Sequence, residues 1–355
     1  MLQAQDIHFS QFHAAPLNVN PAKTGVFDGD IRLVSNFRSQ WTSVPVPYTT
    51  TSFSFDQKIF NDGTLGDNGL GGGLFFNFDQ AGDSELTLLQ IGGSVAYAQQ
   101  INKTNFVSIG MMAGLGQRRF KTTNLTFDEQ FIDGTFIENA PITENFLNTS
   151  ASFVDVAIGL DWNVQISKRL KFSLGGSAWH LNQPEYSFFG DNNSRLPLKW
   201  GVNLDAVIKM SETVDIMPSA IYFHQGGFDE RLVGMYIRYH LDQRKAKNKA
   251  ILFGTWYRLN DAVIASIAMD YEFWRVGISY DVNTSPFSAA TRSYGGFEIS
   301  AQYIIQKVKP LKKQKIASTI ALAIDDHFVG EFIHMKYMLD NKELKKKCLD
   351  FYMLK

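Results

Sequence analysis

Apolar and polar residues alternate with a period of two along most of the first three hundred positions of this chain. From Val154 to Val164 every second residue is apolar, and the residues between them include Asp155, Asp161 and Asn163. Successive side chains of a strand point to opposite faces, so each such segment has one apolar and one polar face. Long segments with charged polar faces, repeated with little helix between them, favour a closed barrel with lipid outside and water inside over a soluble sandwich.

Composition agrees with this interpretation. The chain has 355 residues, 34 basic and 35 acidic, so its size suits one large barrel and its charge does not indicate a nucleic-acid surface. Aromatic residues reach 14% and charged residues only 19%, as expected for a lipid-facing wall with aromatic girdles. No run of about 18 apolar residues predicts a transmembrane helix. Cys348 is the only cysteine, so no intramolecular disulfide is predicted, and neither is a metal site or a cofactor.

The alternation predicts an all-β fold, a transmembrane antiparallel β-barrel of about 14 strands, and outer-membrane barrels have even strand numbers. The predicted strands are 30–40, 49–59, 69–78, 85–100, 104–118, 152–166, 170–181, 197–210, 213–223, 229–241, 250–259, 261–271, 273–283 and 295–306.

The lengths of the connections predict the orientation of the barrel. The longest ones, 119–151, 182–196 and 284–294, all fall at the same end of the predicted barrel, whereas the other end has tight turns such as 167–169. Outer-membrane barrels have long external loops and short periplasmic turns, so the chain is expected to start in the periplasm. We expect three regions: 1–29 as a signal remnant and periplasmic N-terminal segment, 30–306 as the barrel, and 307–355 as a basic linker and helical tail.

A distinctive block precedes the first strand. It contains two prolines and several amide side chains, which predicts an extended or turn-like segment rather than a helix. The segment could lie across the periplasmic mouth or inside the lumen, where polar residues of the first strand would contact its backbone. The residues of the block and of the first strand that form an ordered pattern are Phe9, Gln11, Phe12, Pro16, Asn20, Pro21, Gly25, Arg32, Asn36, Arg38, Gln40 and Trp41.

This pattern resembles the PorP/SprF family of Bacteroidetes outer-membrane proteins, which is associated with the type IX secretion system. The resemblance implies an outer-membrane barrel paired with a large secreted surface protein, often an adhesin, whose C-terminal domain the barrel receives. It also implies contacts of some members with the periplasmic ring of the secretion and gliding machinery. One departure is the region after 306, because the family is expected to end soon after its last strand. The segment 316–355 is either a periplasmic docking helix or a terminus without a role.

The search for catalytic chemistry gives no active site, and we predict that the protein is not an enzyme. Ser177 and His180 are the nearest nucleophile and base, but their spacing in one strand places them on opposite faces. The glycines 71–73 lack a following helix, so phosphate binding is not predicted. Charged residues on the polar faces, among them Asp161 and Glu298, either line a solute pathway or form paired charges inside a plugged barrel; the second is favoured.

The long loop 119–151 is the best candidate contact surface, because it carries a high density of apolar residues. These residues either pack as a cap on the barrel mouth or dock a partner, together with the loops 182–196 and 284–294. The candidate partner-binding residues are Phe127, Phe131, Phe136, Phe146, Tyr186, Phe188, Phe189, Phe287 and Tyr294.

The sequence therefore predicts a non-enzymatic outer-membrane barrel that anchors a secreted surface protein. The alternative is a solute channel of the porin or fatty-acid-transporter kind. The two differ in their lumen: the anchor predicts a filled one, and the channel predicts a lumen filled with water.

Overall fold

The structure is a computed structural model, and it describes residues 6–40, 48–62, 68–122, 125–137, 140, 148–188, 194–242, 248–285 and 294–306. The predicted helical tail lies outside these residues. No helix in the described part of the chain is long and apolar enough to span a membrane.

Fourteen long strands form the wall, as the sequence predicted. Their bounds are β1 Ile31–Gln40, β2 Tyr48–Asp62, β3 Asn68–Ala81, β4 Leu86–Asn102, β5 Asn105–Arg119, β8 Ser150–Ser167, β9 Leu170–Trp179, β10 Lys199–Lys209, β11 Val214–Gln225, β12 Phe228–Asp242, β13 Lys249–Arg258, β14 Ala262–Tyr271, β15 Trp274–Asn283 and β16 Tyr294–Ile305. A small separate hairpin, β6 Phe131–Ile132 and β7 Thr135–Phe136, lies in the long loop between β5 and β8.

The sheet is a closed antiparallel barrel. Each wall strand pairs with its neighbours along the chain, and β1 pairs with β16 from Ile31↔Ile305 to Gln40↔Gly296. The long connections 120–149 and 180–198 lie at one end, and tight turns such as 103–104 lie at the other. Because long loops are external in outer-membrane barrels, we name these ends the outer mouth and the periplasmic mouth.

The two faces of the wall differ as the alternation predicted. In β14 every second residue is buried, from Ala262 to Asp270, and the residues between them are exposed, including Val263, Ile267 and Met269. The exposed face of the barrel is apolar around its circumference, which suits contact with lipid. The fold expected from the sequence is therefore confirmed.

Residues 6–30 run through the lumen, and we call this segment the plug. It contains the 3₁₀ turns Phe12–Ala14 and Pro21–Lys23, and the single α-helical turn α1, Pro16–Val19. The expectation that the prolines exclude helix was therefore wrong in part, because a proline at the first position of a helical turn loses no hydrogen bond. Of the two locations that the sequence left open, the lumen is the one observed.

Candidate functional site: the plug and the outer loops

The plug extends from one mouth of the barrel to the other. At its start, the Asp6 N–H donates to Oε1 of Gln225, the last residue of β11 at the outer mouth, over 3.2 Å. At its end, the Asp30 N–H donates to the carbonyl oxygen of Ile305, the last residue of β16 at the periplasmic mouth, over 2.9 Å. The chain therefore enters the barrel wall only after it has crossed the whole lumen.

Glu298 on β16 holds the first turn of the plug. Its carboxylate accepts the N–H of Ser10 at 2.8 Å and the N–H of Gln11 at 3.0 Å, and its backbone oxygen accepts from Nε2 of Gln11. The hydroxyl of Ser300 donates to Oε1 of Gln11 over 2.7 Å. A buried carboxylate that accepts two backbone N–H groups fixes both the position and the direction of the chain.

A buried group of charges surrounds this turn. Asp281 accepts from Nη2 of Arg38 at 2.9 Å, from Nη1 of Arg258 at 3.2 Å and from the Ser10 hydroxyl at 2.7 Å. Arg38 also donates to the carbonyl oxygen of His8. These ions lie away from water, and removing one partner of such a pair leaves an uncompensated charge that costs about 3–5 kcal/mol.

Asn20 fixes the middle of the plug. Its Oδ1 accepts the N–H of Ala22, and its Nδ2 lies within 3.0 to 3.3 Å of the backbone oxygens of Leu160 and Gly176 and of Oδ1 of Asn203. Glycines on the inner face make room for this turn: a Cβ on Gly110 would lie 2.4 Å from the Pro21 oxygen. Glycine inside a strand is typical of such a close backbone approach, so Gly110 is a signal of the plug that the sequence contains.

Arg32 and Asp56 hold the end of the plug. They form a two-pronged ion pair at 2.9 and 2.7 Å, and the same carboxylate accepts the N–H of Gly25 at 2.8 Å. Gly25 has a φ of 71°, which favours glycine, and a Cβ there would lie 2.6 Å from Cα of Gly71. Lys23 is paired with Asp205 at 3.0 Å.

Apolar side chains of the plug complete its packing. Phe12 and Val19 are buried in a cluster with Trp256 and its neighbours, and Leu17 is buried against Phe75. Both polar and apolar contacts therefore hold the plug, which favours a filled barrel and the paired-charge interpretation of its lumen.

The residues of the N-terminal pattern are thus brought together in the lumen. The residues of this pattern that are buried in the plug or on the wall around it are Phe9, Gln11, Phe12, Pro16, Asn20, Pro21, Gly25, Arg32, Asn36 and Arg38. Asn36 donates to the carbonyl oxygen of Ala14, Gln40 ends β1, and Trp41 lies outside the described residues.

A second cluster closes over the start of the plug at the outer mouth, and we call it the latch. Nε2 of His180 lies 2.6 Å from Oδ2 of Asp6, and its Nδ1 lies 2.9 Å from Oδ1 of Asp155. Nζ of Lys199 lies 3.5 Å from the same oxygen of Asp6. Burial opposes the charged imidazolium, but the two carboxylates outweigh it and raise the pKa of His180 to about 9.

The position of His180 corrects a sequence expectation. Ser177 and His180 both point inwards, because β9 ends at Trp179 and His180 has a φ of 57°, which interrupts the alternation. They still do not form a catalytic pair: the Ser177 hydroxyl donates to the Val19 oxygen, while His180 contacts two carboxylates. Among the described residues, no group of three or more His, Cys, Asp or Glu side chains is placed to hold a metal ion.

The candidate partner-binding residues fall into two groups. Phe131 and Phe136 face each other across the β6–β7 hairpin with ring centroids 5.3 Å apart, and they are 60% and 41% exposed. By contrast, Tyr186 is half-buried beneath the Arg118 guanidinium, and Phe188 packs against Phe120. Phe127 is half-buried, and Phe146, Phe189, Phe287 and the side chain of Tyr294 lie outside what the structure describes.

Further apolar side chains of the hairpin are exposed. Ile132 and Ile137 are also exposed, and Gln130 anchors the base of the hairpin through its backbone and its side chain. We call Phe131, Ile132, Phe136 and Ile137 the hairpin patch. Four large apolar side chains exposed together on a loop outside the lipid-facing wall indicate a contact surface.

Comparison with known proteins agrees with the outer-membrane location expected from the sequence. Residues 1–303 match the family described as type IX secretion system membrane protein PorP/SprF. No curated protein matches the sequence.

Several solved structures are similar to this chain at low sequence identity. The CymD monoaromatic hydrocarbon channel is 12% identical, with 83% of this chain and 94% of that chain covered and a TM-score of 0.45. A FadL homologue of Pseudomonas aeruginosa is 11% identical, with 80% and 92% covered and a TM-score of 0.39. The toluene transporter TodX of P. putida is 8% identical, with 82% and 94% covered and a TM-score of 0.45.

Proposed function

Because the chain belongs to the PorP/SprF family of type IX secretion system membrane proteins, we propose that it anchors a secreted surface protein at the outer mouth of its barrel. The partner is a large secreted protein, such as an adhesin, which binds through its C-terminal domain. Components of the periplasmic ring of the secretion or gliding machinery are further partners, on the opposite side of the membrane.

The observation that carries this proposal is the hairpin patch. Phe131 and Phe136 are exposed, and contact of large aromatic side chains with water is unfavourable relative to their burial. Aromatic residues that become buried in an interface contribute much of its binding energy. The two short strands also leave backbone groups at their edges for pairing with an added strand. Binding then combines main-chain pairing with aromatic burial, and it requires no covalent step.

The filled lumen argues against the solute channel. Transport through the barrel requires a continuous water-filled path, whereas the plug crosses the lumen and is hydrogen-bonded to the wall at Glu298, Asn203 and Asp56. An anchor needs a rigid support, and buried ion pairs and hydrogen bonds to opposite walls provide one.

The test is extraction of the tagged protein from native cells under gentle conditions, followed by quantification of co-purifying proteins. The double variant Phe131→Ser/Phe136→Ser removes the aromatic part of the patch. Phe228→Ser is the matched control, because Phe228 is 46% exposed in a different turn at the outer mouth.

We expect a stoichiometric surface protein with the wild type and with Phe228→Ser, and a loss of at least about tenfold with the double variant. Heat-modifiable migration of each variant confirms that its barrel is folded. Equal recovery with all three proteins excludes the hairpin patch as the docking site. A wild-type barrel without a partner refutes the anchor itself.

A further inference from the structure

Two periplasmic turns carry positive charge at the point where the lipid-facing wall ends, and we call them the basic edge. They are residues 102–105, between β4 and β5, and residues 167–170, between β8 and β9. Together they contain Lys103, Lys168 and Arg169 and no acidic residue. The tight turns at the outer mouth contain acidic residues instead, namely Asp83, Glu85 and Asp261. The positive charge is therefore particular to this edge and not a general property of the turns.

The two lysines of the basic edge lie close to each other. The ladder between β5 and β8 ends where the N–H of Gln165 donates to the carbonyl oxygen of Thr104 over 2.7 Å, so these two residues are opposite each other. Counted from this pair, Lys103 is opposite Ile166, and Lys168 lies two positions further along the chain. Such diagonal positions on neighbouring strands are about 7–8 Å apart, within reach of long side chains. Both ammonium groups can therefore contact one phosphate.

The basic edge is continuous with the apolar outer surface of the barrel. Ile101 and Ile166 are both 63% exposed at the periplasmic ends of β4 and β8. Lys103 and Lys168 each follow one of these isoleucines by two positions, where the strand ends. The order from the wall to the periplasm is thus an apolar side chain and then a cation. A phospholipid has the same order from its acyl chains to its phosphate, and lysines at a membrane boundary extend their ammonium groups to the headgroups.

The ammonium groups of Lys103 and Lys168 are available to a ligand. Both residues are exposed, and neither forms an ion pair with a residue that the structure describes. Arg169 differs, because it lies near Glu212, whose carboxylate also accepts from Lys209 at 2.8 Å. The charge of Arg169 is therefore partly compensated, whereas those of the two lysines are not.

Side-chain hydrogen bonds fix the backbone of both turns. Oδ1 of Asn102 accepts the N–H of Thr104 at 2.9 Å and the N–H of Asn105 at 3.0 Å. In the second turn, the N–H of Arg169 donates to the hydroxyl of Ser167 over 3.1 Å. Because the turns are already ordered, binding at them loses little backbone entropy.

We infer that the basic edge binds an anionic phospholipid of the periplasmic leaflet, with its phosphate at Lys103 and Lys168 and an acyl chain along Ile101 and Ile166. A lipid fits better than free phosphate, because one lipid molecule contacts both the cations and the apolar side chains beside them. The site lies on the outside of the barrel, so it does not depend on the state of the lumen. This inference is independent of the proposed anchoring function.

The test is native mass spectrometry of the full chain in detergent micelles, titrated separately with dioleoyl phosphatidylglycerol and dioleoyl phosphatidylcholine. The two lipids share their acyl chains and their phosphate, but only the first has a net negative charge. Lys103→Gln/Lys168→Gln removes both charges of the site. Lys121→Gln/Lys249→Gln is the matched control, because it removes the same charge from the outer mouth and from another periplasmic sector, where Lys249 lies over the Tyr271 ring.

We expect phosphatidylglycerol to bind at least about tenfold more tightly than phosphatidylcholine, and Lys103→Gln/Lys168→Gln to lose about tenfold in affinity for it. The control variant should lose less than about twofold. Equal affinities for the two lipids overturn the inference, as do equal losses in the two variants, which would reflect total charge alone. Inorganic phosphate that competes as well as the lipid overturns the assignment to a lipid. Heat-modifiable migration shows that each variant is folded.

Discussion

Raising the pH from about 6 to about 9.5 should weaken the latch that holds the start of the plug. In the folded protein the pKa of His180 is raised from 6.5 to about 9 by Asp6 and Asp155, against the effect of burial. A group whose pKa is raised by folding stabilises the folded state fully below its unfolded pKa. That stabilisation is lost as the pH rises through the folded pKa.

The magnitude follows from the two pKa values. A difference of about 2.5 units corresponds to about 3 kcal/mol, nearly all of which is lost between about pH 6 and about pH 9.5. The pKa of Asp6 is lowered because His180 and Lys199 outweigh its burial, but this shift describes the same ion pair and adds nothing to the total. The latch is therefore strongest at mildly acidic pH, below about 6.5, and it weakens steadily as the pH rises above that value.

The assay is urea unfolding of the barrel in lipid vesicles, followed by tryptophan fluorescence at both pH values. His180→Gln keeps hydrogen-bonding groups and removes the charge, so it should lose about 3 kcal/mol less between the two pH values than the wild type loses. His224→Gln is the matched control, because its partner Asp229 lies 2.8 Å away in an exposed pair. If the wild type and His180→Gln show the same dependence on pH, the reasoning about the latch is wrong.

Three further predictions concern the plug. Gly110→Ala places a Cβ 2.4 Å from the Pro21 oxygen and should lower the free energy of unfolding by about 1–3 kcal/mol, whereas Gly93→Ala, whose nearest contact would be 3.6 Å, should not change the urea midpoint. Asp281→Asn should cost about 3–5 kcal/mol in the same assay, because it removes the carboxylate that pairs with the buried Arg38 guanidinium; Glu185→Gln, in an exposed pair with Arg195, should change the free energy of unfolding by less than about 0.5 kcal/mol. Deletion of 6–28 should produce ion conductance in planar bilayers where the wild type is silent, and equal conductance of the two proteins would contradict a filled lumen.

The wall of the barrel could be predicted from the sequence because strand alternation is a local property. Each segment such as 152–166 carries its own period of two, and the membrane requires one apolar face at every strand. The same strand assignment predicted that the long connections lie at one end of the barrel and the tight turns at the other. The strand bounds differ from the prediction by a few residues in both directions: the ladder of β2 and β3 extends beyond the alternating pattern, whereas β9 and β10 are shorter than predicted.

The position of the plug could not be predicted in the same way. Its deciding contacts join residues far apart in the chain, such as Ser10 with Glu298, and no local pattern specifies such a pair. The inward glycines Gly110 and Gly159 were the available signal, because each lies against the plug backbone or Asn20. Read together with the polar N-terminal block, they would have favoured the lumen over the mouth.

The candidate contact residues illustrate a second limit. Phe131 and Phe188 are both phenylalanines in long loops at the outer mouth, and the sequence offers no way to tell them apart. In the structure, Phe131 is exposed on a hairpin, whereas Phe188 packs against Phe120. Which aromatic side chain finds a partner within the loops depends on loop conformation, which the sequence pattern does not contain.

The plug is hydrogen-bonded both to early strands of the chain and to the last one. The N–H of Gly25 donates to Asp56 on β2, and Nδ2 of Asn18 donates to Asn77 on β3. Strands near the start of the chain therefore provide part of the binding site for the plug. The last strand, β16, closes the barrel by pairing with β1. It also carries Glu298, whose carboxylate accepts the backbone N–H groups of Ser10 and Gln11. The strand that closes the barrel therefore also completes the binding site for the first turn of the plug. A chain whose N-terminal segment is misplaced would close the seam between β1 and β16 without the hydrogen bonds from Ser10 and Gln11 to Glu298.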